Sequence, residues 1–209
     1  IQQAVEEKNE EFDLNNSHII VFDIHSEYRS AFPDATIIDI EDLVLPYWLL
    51  TSEELEELFI DTEANDHNQR NVFKEAIIKE KKGSCSDELE KLKVHYDSPL
   101  FFDIQKVLEF AQEKNEEKVE GAKAGTEKQG SLFGKLTNFI SRLENKLGDK
   151  RMDFLLGTKS KEISFENTIK QFIGYKTEED KENANITIID LGGIPFEVLS
   201  ITVSLISRI

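Results

Sequence analysis

Apolar positions follow two periods along this chain. Ile19, Ile20, Val21 and Phe22 run without a break and stop at Asp23, and ITIID repeats the pattern over residues 186–190. A short unbroken apolar run closed by a polar residue predicts a strand covered on both faces, the kind that builds a parallel sheet flanked by helices. TIIDI, behind the turn residues Pro33 and Asp34, predicts a further strand over residues 36–40. From residue 51 to about residue 173 the period is helical instead. Val72, Phe73, Ala76 and Ile77 form one stripe, and Ile104, Val107, Leu108 and Ala111 a second. Leu132, Leu136, Phe139, Leu143 and Leu147 form a third, each stripe being one face of an amphipathic helix. Thr51 and Glu54 have the spacing of a capping box, which starts a helix running through Phe59.

The connecting segments complete this organisation. Residues 1–11 read as the end of a helix with Ile1, Ala4 and Val5 on one face, broken by DLNNS at 13–17. Residues 45–50, LPYWLL, are an apolar run holding the only tryptophan. Residues 114–131 contain Val119 as their one large apolar residue, too little to offset the entropy of ordering, and predict a mobile loop. Residues 177–185 form a charged connector into the ITIID strand. Gly192 and Gly193 then permit a close backbone approach or a positive-φ turn, and Pro195 suits the first turn of a helix. That helix, over residues 196–209, is apolar on most faces and is expected to lie buried against the sheet. The result is an α/β chain in three pieces: residues 1–45 and 174–209 share one parallel sheet, and residues 46–173 are a helical insertion.

Composition narrows the class. Of 209 residues, 39% are hydrophobic and 32% charged, enough for a core beneath a highly charged exterior. Forty-two acids against 25 bases leave a formal charge of −17, which repels nucleic-acid phosphate unless cations cluster locally. The densest basic spot, Lys146, Lys150 and Arg151, is too small to be such a surface alone. Cys85 is the single cysteine, so no intramolecular disulfide forms and a reducing cytoplasm is the expected location. No apolar stretch approaches the roughly twenty residues that cross a bilayer, so no membrane partner is expected.

Ligands of open α/β sheets sit beyond the carboxyl ends of the strands. Asp23, His25, Ser26, Glu27 and Tyr28 crowd behind the first strand, and Asp190 closes the last. Two readings of these side chains stand side by side. Asp23 either serves chemistry or caps the following turn, and Glu27 either serves chemistry or is an exposed acid. His25 either bonds a phosphate or carboxylate or braces its loop. Asp190 either reaches a partner group or accepts from the amides of Gly192 and Gly193. Asp66, His67, Asn68 and Arg70 lack a further spaced metal ligand and read as a helix start with a solvated face.

DIHSEYRSAF resembles the DPHGEY motif of the HerA/FtsK family of hexameric P-loop ATPases, in its HerA-like branch. LPYWLLTSEELEELF, YDSPLFFDIQKVLEF, RLENKLGDKRMDFLL and IDLGGIPFEVLS are similar to later family segments in the same order. Ile24 and Ser26 depart from the family's usual proline and glycine, and neither change removes an ionisable group. The resemblance implies part of a RecA-like P-loop ATPase sheet with a large α-helical insertion. It also implies that the phosphate-cradling Walker A loop and the acidic Walker B strand lie outside this sequence, before Ile1 and after Ile209. The cofactors implied are ATP and Mg2+.

By the same resemblance Asp23 and Glu27 are the catalytic candidates, orienting the attacking water or holding a metal-bound water. His25 and Asp190 are the nucleotide-edge candidates, and no protein metal ligand is assigned. The function implied is a DNA translocase or helicase: a homohexameric ring acting on double-stranded DNA with a nuclease or other effector, in DNA end processing or phage defence. A non-catalytic ring scaffold with a degenerate nucleotide site is the alternative. This chain by itself is expected to be inactive as an ATPase, having no substitute for the phosphate-cradling loop.

Overall fold

The computed structural model describes residues 18–60, 66–121, 125–172 and 186–209. The helix expected over 1–11 and the connector at 177–185 lie outside these residues. The chain divides into two units, one comprising Ile1–Pro46 with Thr158–Ile209 and the other Tyr47–Gly157.

The first unit opens with β1 (Ile19–Asp23) and β2 (Thr36–Ile38). The second unit then begins with a 3-10 turn at Tyr47–Leu49, where the buried Tyr47 hydroxyl donates to the Phe102 carbonyl at 2.8 Å. The helix α1 (Ser52–Phe59) starts as its capping box dictates. Glu54 N–H donates to Thr51 Oγ1 at 3.3 Å, and Thr51 N–H donates to Glu54 Oε2 at 2.8 Å. After it come α2 (Asp66–Gly83), α3 (Glu88–Lys93) and α4 (Ile104–Glu116). The expected stripes of α2 and α4 are buried in full.

The segment read as a loop over 114–131 takes a different form. The helix α4 runs on to Glu116, and β3 (Lys118–Glu120) pairs antiparallel with β4 (Glu127–Gln129). All six strand residues are exposed, so backbone pairing rather than burial gives this ribbon its shape. The third stripe also starts later than its spacing predicts. Gly134 turns the chain at φ +72°, and α5 (Thr137–Gly148) begins only after Leu136. Leu136, Phe139 and Leu143 are buried, whereas Leu132 and Leu147 are half-buried. Phe73 ties the unit together, its ring edge-on to Phe59 and Phe139 at 5.6 Å each and to Tyr96 at 6.4 Å. The unit closes with α6 (Asp153–Leu156).

The chain returns to the first unit through α7 (Thr158–Glu162), α8 (Phe165–Phe172), β5 (Ile186–Asp190) and α9 (Phe196–Arg208). The three strands form a parallel sheet in the order β1-β5-β2, making the first unit an α/β layer of the RecA-like type. Two expectations change here. β5 is the strand covered on both faces, whereas β1 is an edge of the described sheet and leaves Ile20 38% exposed. α9 buries one stripe rather than most of its faces. Val198, Ile201, Thr202, Leu205 and Ile206 make one buried stripe, and Glu197, Ser200, Ser204 and Ser207 face solvent. At the amino end of the sheet, His18 Nε2 lies 2.9 Å from the Phe172 carbonyl and 3.0 Å from Thr187 Oγ1, bracing β1 to β5 and α8. Among the described residues no helix is long and apolar enough to cross a membrane.

Candidate functional site

The parallel register sets the site. Asp23 pairs directly with Asp190, and Ile38 of β2 pairs with Ile189 of β5. Asp39 therefore follows one residue past that pair, and all three strands deliver an aspartate to one carboxyl edge. The third was missed from the sequence, although TIID in β2 repeats the ITIID pattern and carried the same signal.

The loop behind β1 is wound around its own carboxylate. Asp23 is 1% exposed, and it accepts from His25 N–H at 3.2 Å through Oδ1 and from Tyr28 N–H at 2.9 Å through Oδ2. Burial pushes the Asp23 carboxyl up, but the amides of Tyr28, Glu27, His25 and Ser26 outweigh it and hold the group below its ordinary value. Ser26 takes φ +56° in this turn, bringing successive amides to one side as in an anion-binding nest. The anion in that nest is the protein's own Asp23. The side chains of His25, Ser26, Glu27, Tyr28 and Arg29 are left exposed.

The turn behind β5 packs against this loop. Leu191 N–H donates to the Asp23 carbonyl at 2.7 Å, and Asp190 Oδ1 accepts from Gly192 N–H at 3.0 Å and from the Ser26 hydroxyl at 2.8 Å. A Cβ on Gly192 would stand 2.6 Å from Ser26 Oγ, and one on Gly193 would stand 3.2 Å from Ile40 Cγ2. Close approach rather than a positive φ therefore explains Gly192, while Gly193 sits in a tight fit against a side chain that can give by a few tenths of an ångström. Arg29 forms an ion pair with Asp39, joining the loop behind β1 to the end of β2. Sequence reasoning had no signal for that pairing.

The four residues singled out from the sequence, Asp23, His25, Glu27 and Asp190, therefore gather at one edge with different duties in the structure. Asp23 is occupied by its loop and Asp190 by Ser26 and Gly192, while His25 and Glu27 present exposed side chains. Mg2+ keeps waters and needs only one or two protein carboxylates, and the exposed carboxylate at this edge that would serve such an ion is Glu27. Among the described residues, no group of three or more His, Cys, Asp and Glu side chains is placed to hold a metal ion. The polar cluster at the start of α2 is engaged locally, with Arg70 ion-paired to Glu56 and Asn71 3.0 Å from His67 Nε2.

A family model described as Helicase HerA, central domain (DUF87), matches residues 3–209. No curated protein matches the chain.

Proposed function

The chain belongs to the family of HerA helicase central domains, and on that footing we propose that it is the middle of a ring ATPase coupling ATP hydrolysis to movement along double-stranded DNA. The observation that carries this reading is the sheet edge, where an exposed carboxylate and imidazole, Glu27 and His25, stand on a loop whose backbone is already fixed. Phosphoryl transfer asks a protein chiefly for positioning and charge stabilisation. Glu27 accepts a hydrogen bond from the attacking water or from a metal-bound water and so orients it. His25 contacts a phosphate oxygen, and Asp190 faces the neighbouring subunit at the nucleotide edge. Asp23 acts through the loop, as a positioning residue. Bound ATP and Mg2+ supply the phosphoryl group and the charge that neutralises it.

DNA contact is assigned to the full-length homohexameric ring at places where cations cluster, because the net charge of −17 on this chain opposes binding to phosphate elsewhere. A nuclease or other effector is the partner proposed for the ring, in DNA end processing or phage defence. Residues 1–209 by themselves are not expected to hydrolyse ATP. In the full-length protein, Glu27→Gln is expected to lower kcat by about 10²-fold while nucleotide affinity changes little. Asp23→Asn is expected to lower turnover as well, by loosening the loop. Steady-state ATPase assays with and without DNA, beside nucleotide-binding measurements, test this. Both variants turning over at the parent rate would assign this edge to another task, such as ring assembly.

A further inference from the structure

The serine at position 26 sits where its backbone is strained. At φ +56° a side chain meets steric resistance that glycine does not, so a glycine would fit this turn more easily. Its hydroxyl nevertheless reaches across to β5 and donates to Asp190 Oδ1 at 2.8 Å, a bond strengthened by the acceptor's charge. The same oxygen accepts from Gly192 N–H at 3.0 Å, so one carboxylate atom joins the two loops. Gly192 leaves just enough room: a Cβ there would lie 2.6 Å from Ser26 Oγ, 3.1 Å from Asp190 Oδ1 and 3.5 Å from the Ile24 carbonyl.

We infer that Ser26 is a positioning residue whose hydroxyl latches the loop carrying His25 and Glu27 to the Asp190–Gly192 turn, with Gly192 kept small to admit it. Asp23 fixes the loop's shape from within, through the amides of His25 and Tyr28. The Leu191 N–H bond to the Asp23 carbonyl ties only the base of the loop to the β5 turn. The Ser26–Asp190 bond adds a tie farther out, beside His25 and Glu27. For its catalytic part, the inference rests on the ATPase reading above.

The test uses the full-length protein with Ser26→Gly, Ser26→Ala, Gly192→Ala and the Ser26→Gly/Gly192→Ala pair. Ser26→Gly removes the hydroxyl while relieving the backbone, so a deficit in it cannot come from strain. It is expected to lower kcat on the order of tenfold with the KM for ATP within about twofold, since small displacements of a positioned group cost rate rather than affinity. Hydrogen exchange in peptides spanning 24–28 and 190–194 is expected to rise together in both serine variants. Gly192→Ala should impair the parent but add less to Ser26→Gly, in which the nearest atom it would strike is gone and the 3.1 Å approach to Asp190 Oδ1 is the tightest left. Parent-like kcat and exchange in Ser26→Gly, or additive losses in the pair, would overturn the latch. A parent that binds no ATP ends the ATPase reading instead, and exchange then decides: coupled protection of the two segments supports the latch, and independent protection overturns it.

Discussion

Asp23 and Asp190 stand opposite each other in register on adjacent parallel strands, yet their carboxylates take different partners. Asp23 turns inward to the amides of its own chain a few residues on. Asp190 takes one bond from its own turn and one from a serine 164 residues away in sequence. The strand pairing brings the two acids together, and their partners then separate them into an internal anchor and a bridge.

The anchor carries a pH dependence. The Asp23 carboxyl is held below its ordinary value of 3.8 in the folded protein. The unfolded chain therefore takes up the proton first as pH falls, and the stability this group contributes is complete above about pH 4 and lost below it. Urea unfolding followed from about pH 6 to about pH 3 should show stability falling at the acid end. Asp23→Asn should unfold at lower urea than the parent near neutral pH, with the difference narrowing toward the acid end. A constant difference across that range would mean that the carboxylate charge does not hold the loop.

The second unit contains a basic group whose stability contribution also rises with pH, but in an alkaline window and because the fold favours its neutral form. Lys81 is fully buried, donates to the Tyr96 carbonyl at 2.5 Å and lies 5.3 Å from the centre of the Phe102 ring. Burial lowers its pKa from 10.5 to about 8, against the opposing field of Asp97. Between those values the unfolded chain binds more protons than the folded one, so stability rises with pH through this window, and that gain is lost as pH falls back through about 8. Unfolding free energy should increase between about pH 7.5 and 9.5 by roughly 1–2 kcal/mol, since one proton taken up on unfolding changes stability by about 1.4 kcal/mol for each step of one in pH. Lys81→Met should flatten that rise, and a rise of parental size in the variant would place its origin elsewhere.

Phe73 predicts the largest loss from a single truncation. Its ring meets Phe59, Tyr96 and Phe139, which come from different elements of the second unit. Phe73→Ala removes those contacts and opens a cavity among rings that cannot all collapse into it, a change worth roughly 3–5 kcal/mol. Chemical denaturation monitored by the fluorescence of Trp48, in the same unit, reads this directly. A cost below about 1 kcal/mol would show that the cluster repacks around the gap.

Much of the architecture was legible because it rests on local pattern. The unbroken runs at Ile19 and Ile186 gave parallel strands, and Thr51 with Glu54 gave the start of α1 in atomic detail. What escaped depends on partners distant in sequence. Periodicity assigns Phe73 to a buried face but cannot say that Phe139 will meet it. Lys81, within KEKKG, reads as one more solvated lysine, and only the packing of α2 against the segment around Tyr96 and Phe102 encloses it. At the sheet edge, charge and position singled out Asp23 with two readings open, chemistry or a cap on the following turn, while the amides it engages depend on the turn at Ser26, which composition does not disclose. Asp39 was overlooked for another reason: its strand is short, and the apolar run before it holds only Ile37 and Ile38.

The Asp23 nest separates the shape of a loop from its chemistry. Backbone amides, which any residue but proline can offer, define the path from His25 to Tyr28, so the side chains of His25 and Glu27, unlike that of Ser26, carry little of the folding information. Positions 25 and 27 thus behave as interchangeable fittings on a fixed bracket. Laboratory selection could vary both freely, retaining the fold while exploring which pair of groups best serves the bound substrate.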